Sequence, residues 1–302
     1  MARLWVLSGV VFVSFSPIYV RLAALPPTAA GFLRAAYALP FLLALWAWQR
    51  RGDHRSSRVR LQAVLAGVFL GIDLALWHRA IELIGAGLAT VLGNTQVIFV
   101  GLFAWWTYRE RPRRAALAAV PMVLLGAVLI SGLGLGDAYG RDPALGVIFG
   151  VLTGITYAVF LVIFRAAGRD LGAPAGPMLD ATLGAALGLG VIGLGEGGLD
   201  LLVTWPAHGW MLALAVSSQV VGWQLIAAAL PRLPALETSV SLLLQPVLAT
   251  VWGRLIFDER LSSLQGLGIA LVLGGVGWVS WRGAARPAPA PEVAKGAAPC
   301  AT

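Results

Sequence analysis

The long apolar runs of the chain contain few polar groups, and those few could do chemistry. Asp73 stands near the middle of the run 61–80. A carboxylate at that depth costs at least ~2.5 kcal/mol and usually faces a cavity or a partner. Trp77 follows four residues later and shares its helical face. An acid beside an aromatic wall suits a bound organic solute. His78 is one residue further, off that face, with Glu82 at i+4, and could carry protons. Asn94, Thr95 and Gln96 interrupt the run 85–107. Three consecutive residues point in different directions, so they cannot all line one cavity. Gln245 precedes Pro246 in the run 235–257, where a proline frees a helix carbonyl. Ser14 and Ser16, then Thr153, Thr156 and Tyr157, then Ser218, Gln219 and Trp223 lie at a similar depth. Arg34 is the one basic residue inside a run; pointing inward, it would meet Asp73 or the carboxylate of a solute. Plainer readings stand beside these. Amides and hydroxyls bond neighbouring helices or their own carbonyls, Trp77 could face lipid, and Asp73 could simply pair with Arg34.

The elements that position these groups are ten apolar runs, at 4–23, 28–49, 61–80, 85–107, 115–132, 143–164, 173–195, 206–229, 235–257 and 261–281. Each is long enough to cross a bilayer as a helix, which satisfies its own backbone in lipid. Only 12% of the 302 residues are charged, about half the share with which a soluble domain covers its surface. A lipid bilayer is therefore the expected surroundings. The net charge of +8 falls between the runs, where it sets topology, so nucleic acid is not expected as a partner. Cys300 is the only cysteine, which excludes an internal disulfide, and no metal site or cofactor motif stands out. Gly188, Gly190 and Gly193 fit G-x-G-x-x-G inside an apolar run and read as close helix packing. Gly266, Ala270 and Gly274 read as a packing stripe on the last run. Residues 283–302, rich in Ala and Pro, read as a disordered tail.

Basic residues concentrate on cytoplasmic loops of membrane proteins. With the N-terminus inside, sixteen Arg or Lys fall on the inner side, five on the outer side, and Arg34 stays within a span. Both termini are thus expected in the cytoplasm. Residues 85–130 align without a gap on 234–279, so that Gln96 meets Gln245, Glu110-Arg111 meets Glu259-Arg260, and Gly126 meets Gly275. Each half holds five spans, and an odd number inverts the second half. The expected fold is an all-α membrane protein of ten helices: residues 1–135 as one five-helix repeat, 136–282 as its inverted copy, and 283–302 as the tail. Inverted repeats build many secondary transporters, with the site between the halves.

The repeated span–Glu-Arg–span unit, Phe32-Leu33-Arg34-Ala35-Ala36 opening the second span, and Gly150–Phe164 as the sixth resemble the EamA-type permeases of the drug/metabolite transporter superfamily. The resemblance covers about residues 3–282. It implies a transporter rather than an enzyme, in the cytoplasmic (inner) membrane of a bacterium. The solute would be a small organic metabolite, an amino acid or related amphiphile, exported by alternating access as a monomer or homodimer, with proton coupling open. It also implies that spans 5 and 10 sit at the periphery and do not line the cavity. The family carries a proline in the middle of the fourth span; Pro246 supplies it in the second half, but Val97 stands there in the first, so a fully symmetric hinge is not expected. A membrane-embedded enzyme is the alternative from another class, with Asp73 and His78 as its nearest acid–base pair; uptake on the same fold is a further one. The expected substrate-binding set is Asp73, Trp77, Asn94, Tyr157, Trp223 and Gln245, with His78 and Arg34 as proton or charge partners. The topology predicts that reporter fusions at Gly136 and Gly197 read outside, and at Gly52 and the C-terminus inside; an external C-terminus would refute the topology and the repeat together.

Overall fold

A computed structural model describes residues 1–112, 114–130, 142–168, 174–197, 199, 201, 204–257 and 262–284. The boundary at 135/136, Glu259-Arg260 and nearly all of the 283–302 tail lie outside them, as do most side chains between Glu82 and Val91. All regular structure among the described residues is helical. In chain order the α-helices are α1 (Ala2–Ser14), α2 (Ser16–Ala23), α3 (Pro27–Gln49), α4 (Ser57–Asn94), α5 (Gln96–Tyr108), α6 (Arg114–Ile130), α7 (Pro143–Ala167), α8 (Ala175–Gly195), α9 (Ala207–Leu214), α10 (Trp223–Ala229), α11 (Ala235–Leu242), α12 (Leu244–Phe257) and α13 (Ser263–Ala284). A π-helical segment, Ala215–Gly222, joins α9 to α10.

Seven helical stretches among the described residues are long and apolar enough to cross a membrane, and Arg114–Leu129 and Gly266–Val279 are shorter apolar helices. Trp106, Val191, Leu194, Leu255 and Trp281 stand on the outside, each more than two-thirds exposed. An exterior this apolar belongs in lipid, and the chain is a multi-pass membrane protein.

The helical backbone of α4 runs for 38 residues, but α4 cannot be straight. Trp77 and Gly93 would be about 24 Å apart along a straight helix, yet a Cβ on Gly93 would come within 3.8 Å of the Trp77 ring. Ala80 and Ala89 share one cluster with Trp77, Ile81 and Leu92. The chain therefore doubles back between Trp77 and Gly93, and its two arms correspond to the separate runs expected at 61–80 and 85–107.

Glycine permits the closest crossings. A Cβ on Gly67 would collide with the carbonyl of Ala181, and one on Gly184 with that of Val64. The backbones of α4 and α8 thus touch from both sides, as small residues allow between membrane helices. The G-x-G-x-x-G residues pack too: a Cβ on Gly188 would meet Val68 at 3.4 Å, and one on Gly190 would meet Phe32 at 3.5 Å. The stripe expected on α13 is displaced. A Cβ on Gly266 would meet nothing within 4 Å, whereas Gly268, Val272 and Gly275 form the face against α6. Spacings of four and three residues keep that face in line; of the Gly266–Ala270–Gly274 row, Gly266 meets nothing and only Gly274 reaches α6, where its Cβ would meet Met122 at 3.2 Å.

Three breaks fall inside apolar stretches. α1 gives way to α2 at Phe15, α4 to α5 at Thr95, and α11 to α12 at Leu243. Thr95 and Leu243 lie 148 residues apart, one short of the repeat offset. The break thus recurs although Val97 replaces the proline, and the expected asymmetry of the hinge is not seen in where the helices break. At Thr95 the side-chain hydroxyl and the backbone N–H both donate to the Leu92 carbonyl, which tightens the turn without proline.

At one end of the bundle the α3–α4 connection is tied down by charge. Arg55 Nε donates to Asp53 Oδ1 at 2.8 Å, the Trp46 indole N–H donates to Asp53 Oδ2 at 2.8 Å, and Arg55 also pairs with Asp180 of α8 at 2.7 Å. The hydrogen bond from Arg55 pulls the Asp53 carboxyl down to about 2. A depressed acid contributes stability that is present above its ordinary value near ~4 and is lost as pH falls through the folded value. Asp53→Asn should therefore lower the melting temperature of the purified protein at pH 5–7, and the gap to wild type should close as pH falls toward 2. A gap independent of pH would show that the carboxylate charge contributes nothing.

Candidate functional site

The three breaks and the arms of α4 surround a cavity of about 720 Å³. Asp73, Trp77, His78, Asn94, Tyr157, Trp223, Gln245 and Arg34 all line it. The helices account for this convergence: Asp73 and Trp77 share a face of the first α4 arm, Asn94 closes the second at its break, and Gln245 and Pro246 open α12 just past Leu243. The cavity contains a carboxylate, a guanidinium, amides and aromatic faces, a mixture suited to an amphiphilic organic solute.

The charges are arranged differently from the simplest expectation. Asp73 is only 7% exposed, and Arg34 faces the same cavity, but they form no ion pair with each other. Arg34 Nε donates instead to Gln219 Oε1 at 2.8 Å, and Gln219 Nε2 donates to Thr182 Oγ1 at 3.1 Å. Arg34 has only donors, so the amide oxygen must face it, which leaves the amide nitrogen for Thr182. Gln219 is grouped with Ser218 and Trp223 by depth, but it stands behind the cavity wall and holds Arg34. Thr182 was not singled out in the sequence, because a threonine within Met178–Gly195 carries no signal until its partner is known.

The remaining residues divide. The Tyr157 hydroxyl interacts with Gln245. Asn94 Nδ2 is buried without a hydrogen-bond partner, which leaves it available to a solute or to water, whereas His78 is turned to the backbone of Leu74 on its own helix. Glu82, the expected companion of His78, has its side chain outside the described residues. Trp223 is 3% exposed and stands edge-on to Phe160 at 5.3 Å, as much a core residue as a wall. Ser14, Ser16 and Thr153 reach the cavity. Thr156 bonds back to Leu152 and Ser218 donates to the Phe12 carbonyl; neither lines it. Gln96 lines it and accepts from Ser239 at 2.7 Å. The expectation that spans 5 and 10 stay clear of the cavity holds for α13 but not for α6, which contributes Ala127. Alanine offers no polar group, so this contact was invisible in a search for charged and amide side chains.

The cavity extends toward the end of the bundle carrying Arg21 and Ile81. The opposite end is shut by Arg165, which is 6% exposed. Its Nη1 donates to Glu110 Oε1 at 2.6 Å, its Nε to the Leu230 carbonyl at 3.1 Å, and its Nη2 to the Leu233 carbonyl at 2.9 Å. Glu110 Oε2 also accepts from the Ala235 N–H, and Arg3 pairs with Glu237 at 3.2 Å. One guanidinium thereby ties α7 to the α5–α6 and α10–α11 connections. At the other end Glu196 accepts from Arg79 at 2.7 Å and from Thr28 at 2.9 Å, both more exposed.

An apolar helical bundle around a mixed-charge cavity that is open at one end and locked at the other has the form of a membrane transporter for small solutes. The family model of the EamA-like transporter family matches residues 1–132 and again 144–281. The chain belongs to that family, and so to the drug/metabolite transporter superfamily. A solved structure described only as a crystal structure of a protein superposes with a TM-score of 0.78 over 93% of this chain and 96% of its own, at 18% identity; that likeness concerns the fold alone. No curated protein matches the chain.

The lock yields a test. Removing Arg165 takes the guanidinium from Glu110, which keeps the Ala235 N–H, and from the Leu230 and Leu233 carbonyls, at about 1–3 kcal/mol for a buried group left unsatisfied. With Cys300 replaced by Ser and a cysteine at Val100, which is 1% exposed, Arg165→Ala should raise labelling by a polar thiol reagent applied from the locked end at least fivefold. Unchanged labelling would show that Arg165 does not hold that end shut.

Proposed function

We propose that the protein is a secondary transporter moving a small organic metabolite, an amino acid or related amphiphilic solute, across the cytoplasmic membrane by alternating access. The observation that carries this reading is the cavity itself: Asp73 and Arg34 face one space, unpaired with each other, beside three helix breaks. Irregular backbone at that depth is tolerated where it lines a cavity. Asp73, Trp77, Asn94, Tyr157, Trp223 and Gln245 would contact the solute, with Asp73 receiving an amine or, in a proton-coupled cycle, exchanging a proton. Export is the direction that family resemblance favours.

The same proposal takes the chain as ten spans in two inverted units, 1–135 and 136–282, with both termini cytoplasmic. It is supported by the double match of one family model, by the paired breaks at Thr95 and Leu243, and by the helices' ends. The offset that lays Glu110 on Glu259 also lays Tyr108 on Phe257. Arg165 lies 5.7 Å from the Tyr108 ring, and Arg21 lies 4.0 Å from the Phe257 ring, near the open end. A cation over an aromatic thus occurs at both ends, with the two aromatics at positions that the repeat makes equivalent. In the proposed topology the locked end is cytoplasmic and the cavity opens outward.

The enzyme alternative needs a catalytic group oriented by a partner. Asp73 and His78 share no hydrogen bond, and the backbone partner of His78 is Leu74 on its own helix, so no observation favours it. The deciding experiment is Asp73→Asn, which keeps the shape and removes the charge. Once a transported solute is found by counterflow in proteoliposomes loaded with amino-acid mixtures, the variant should fold and transport at least tenfold more slowly, or lose its pH dependence. Wild-type rates across pH would make Asp73 structural and refute the mechanism.

A further inference from the structure

We infer that Arg34 is the anion subsite of the cavity, and that Gln219 and Thr182 are positioning residues that aim it at a carboxylate. The inference rests on the reading of the cavity as the site of the transported solute, and it adds the class of group that one wall takes.

Arg34 Nε is committed to Gln219. Its two terminal nitrogens have no hydrogen bond or ion pair, and they are not among the buried atoms without a partner. They are therefore the edge of the guanidinium left open to the cavity that Arg34 lines. Those two N–H groups point in parallel and match the two oxygens of a carboxylate.

The hold on Nε is built from fully packed residues. Gln219 is 2% exposed and Thr182 0%, so neither can turn to water. Thr182 takes the amide nitrogen and thereby fixes which end of the amide meets Arg34. Gln219 belongs to an eight-residue π-helical segment, a rare backbone form that occurs often at functional sites. The segment is braced against α1: a Cβ on Gly9 would come within 2.6 Å of the Gly222 carbonyl, and Ser218 donates to Phe12 at 3.0 Å. Its placement is thus set by backbone packing and does not depend on Arg34.

Charge balance narrows the occupant. Arg21 lines the cavity at its open end, over the Phe257 ring; deeper in, with Arg34 held by Gln219, the cavity offers one cation and one anion, Arg34 and Asp73, that do not neutralise each other. A solute carrying a carboxylate and an ammonium compensates both. A simple amine leaves a guanidinium buried without a counterion, and a dianion leaves excess charge; either is costly away from water. The subsite therefore distinguishes a zwitterion from its amine by the group it places at Arg34.

The test uses purified full-length protein in detergent and three pairs of probes: L-leucine with isoamylamine, L-phenylalanine with phenethylamine, and L-glutamine with 4-aminobutanamide. Binding is read by calorimetry and by thermal shift. Wild type should bind at least one amino acid about tenfold more tightly than its amine, the scale of a charge-assisted hydrogen bond. Thr182→Val and Gln219→Met should each abolish that ratio by weakening the amino acid alone, and Thr182→Ser, which keeps the hydroxyl, should restore it. Equal weakening of amino acid and amine, or no weakening in either variant, overturns the positioning role and leaves the transport reading intact. Equal wild-type affinity for amino acid and amine overturns the anion subsite, again without touching transport. Binding of none of the six probes removes the amino-acid reading and the subsite with it. Should Thr182→Val fail to fold, Arg34→Lys decides: it keeps the charge and loses the fork, and an unchanged ratio overturns the proposal.

Discussion

A charge within an apolar bundle must find a partner or a polar space, and most of this architecture follows from how that is done. Lipid cannot solvate Asp73 or Arg34, so the helices that carry them turn those faces inward. Pairing the two directly would have been the cheapest arrangement and would have filled the space between them. Instead Gln219 takes one edge of Arg34. The cavity stays open because a neutral amide, fixed from behind by Thr182, stands in for a counterion. The breaks at Phe15, Thr95 and Leu243 cluster around the same space, where irregular backbone and unmatched polar groups have somewhere to face.

The locked end handles charge by the opposite rule. Each nitrogen of Arg165 has an acceptor, one carboxylate and two carbonyls in all, and the residue is buried. The acceptors belong to two connections, Glu110 to α5–α6 and the two carbonyls to α10–α11, so the guanidinium works as a clasp between connections and not as part of a binding surface. The contrast between Arg34, with a free edge, and Arg165, with none, is what separates a group that can meet a solute from one that closes a door. Both are arginines near an acidic residue, and only the partner geometry tells them apart.

How much of this could be read in advance depended on whether the signal was local. Depth within an apolar run is local, and it found Asp73, Trp77, Asn94, Tyr157 and Gln245, all of which reach the cavity. Arg34 was legible for the same reason, but its partner was not. The Arg34–Gln219 bond joins residues 185 apart, and an amide in an apolar run has no preferred partner before the fold exists. The break at Thr95 was hidden because proline is the obvious mark of a broken helix, whereas a threonine bonding its own carbonyl is an inconspicuous one. The α13 stripe was read one or two positions off because Gly266, Ala270 and Gly274 are small, yet smallness alone does not say which face meets a neighbour. Ala127 was missed because wall residues with no polar atom resemble every other alanine in the bundle.

The Arg34–Gln219 bond also links binding to motion. Arg34 comes from the first half of the chain, and Gln219 and Thr182 come from the second. In the proposed cycle the halves rock against each other, so this bond spans the moving boundary. Held at 2.8 Å, it leaves little slack, and a shift of an ångström or so would lengthen it past a useful hydrogen bond. Arg34 would then swing free, and Asp73 lines the same cavity as its counter-charge. Pairing the two would expel a carboxylate from one and an ammonium from the other. The amide that keeps the charges apart in the open state would, by letting go, convert a binding site into a neutral wall. Release would then follow from geometry alone, with the empty cavity holding its own charges until Gln219 returns.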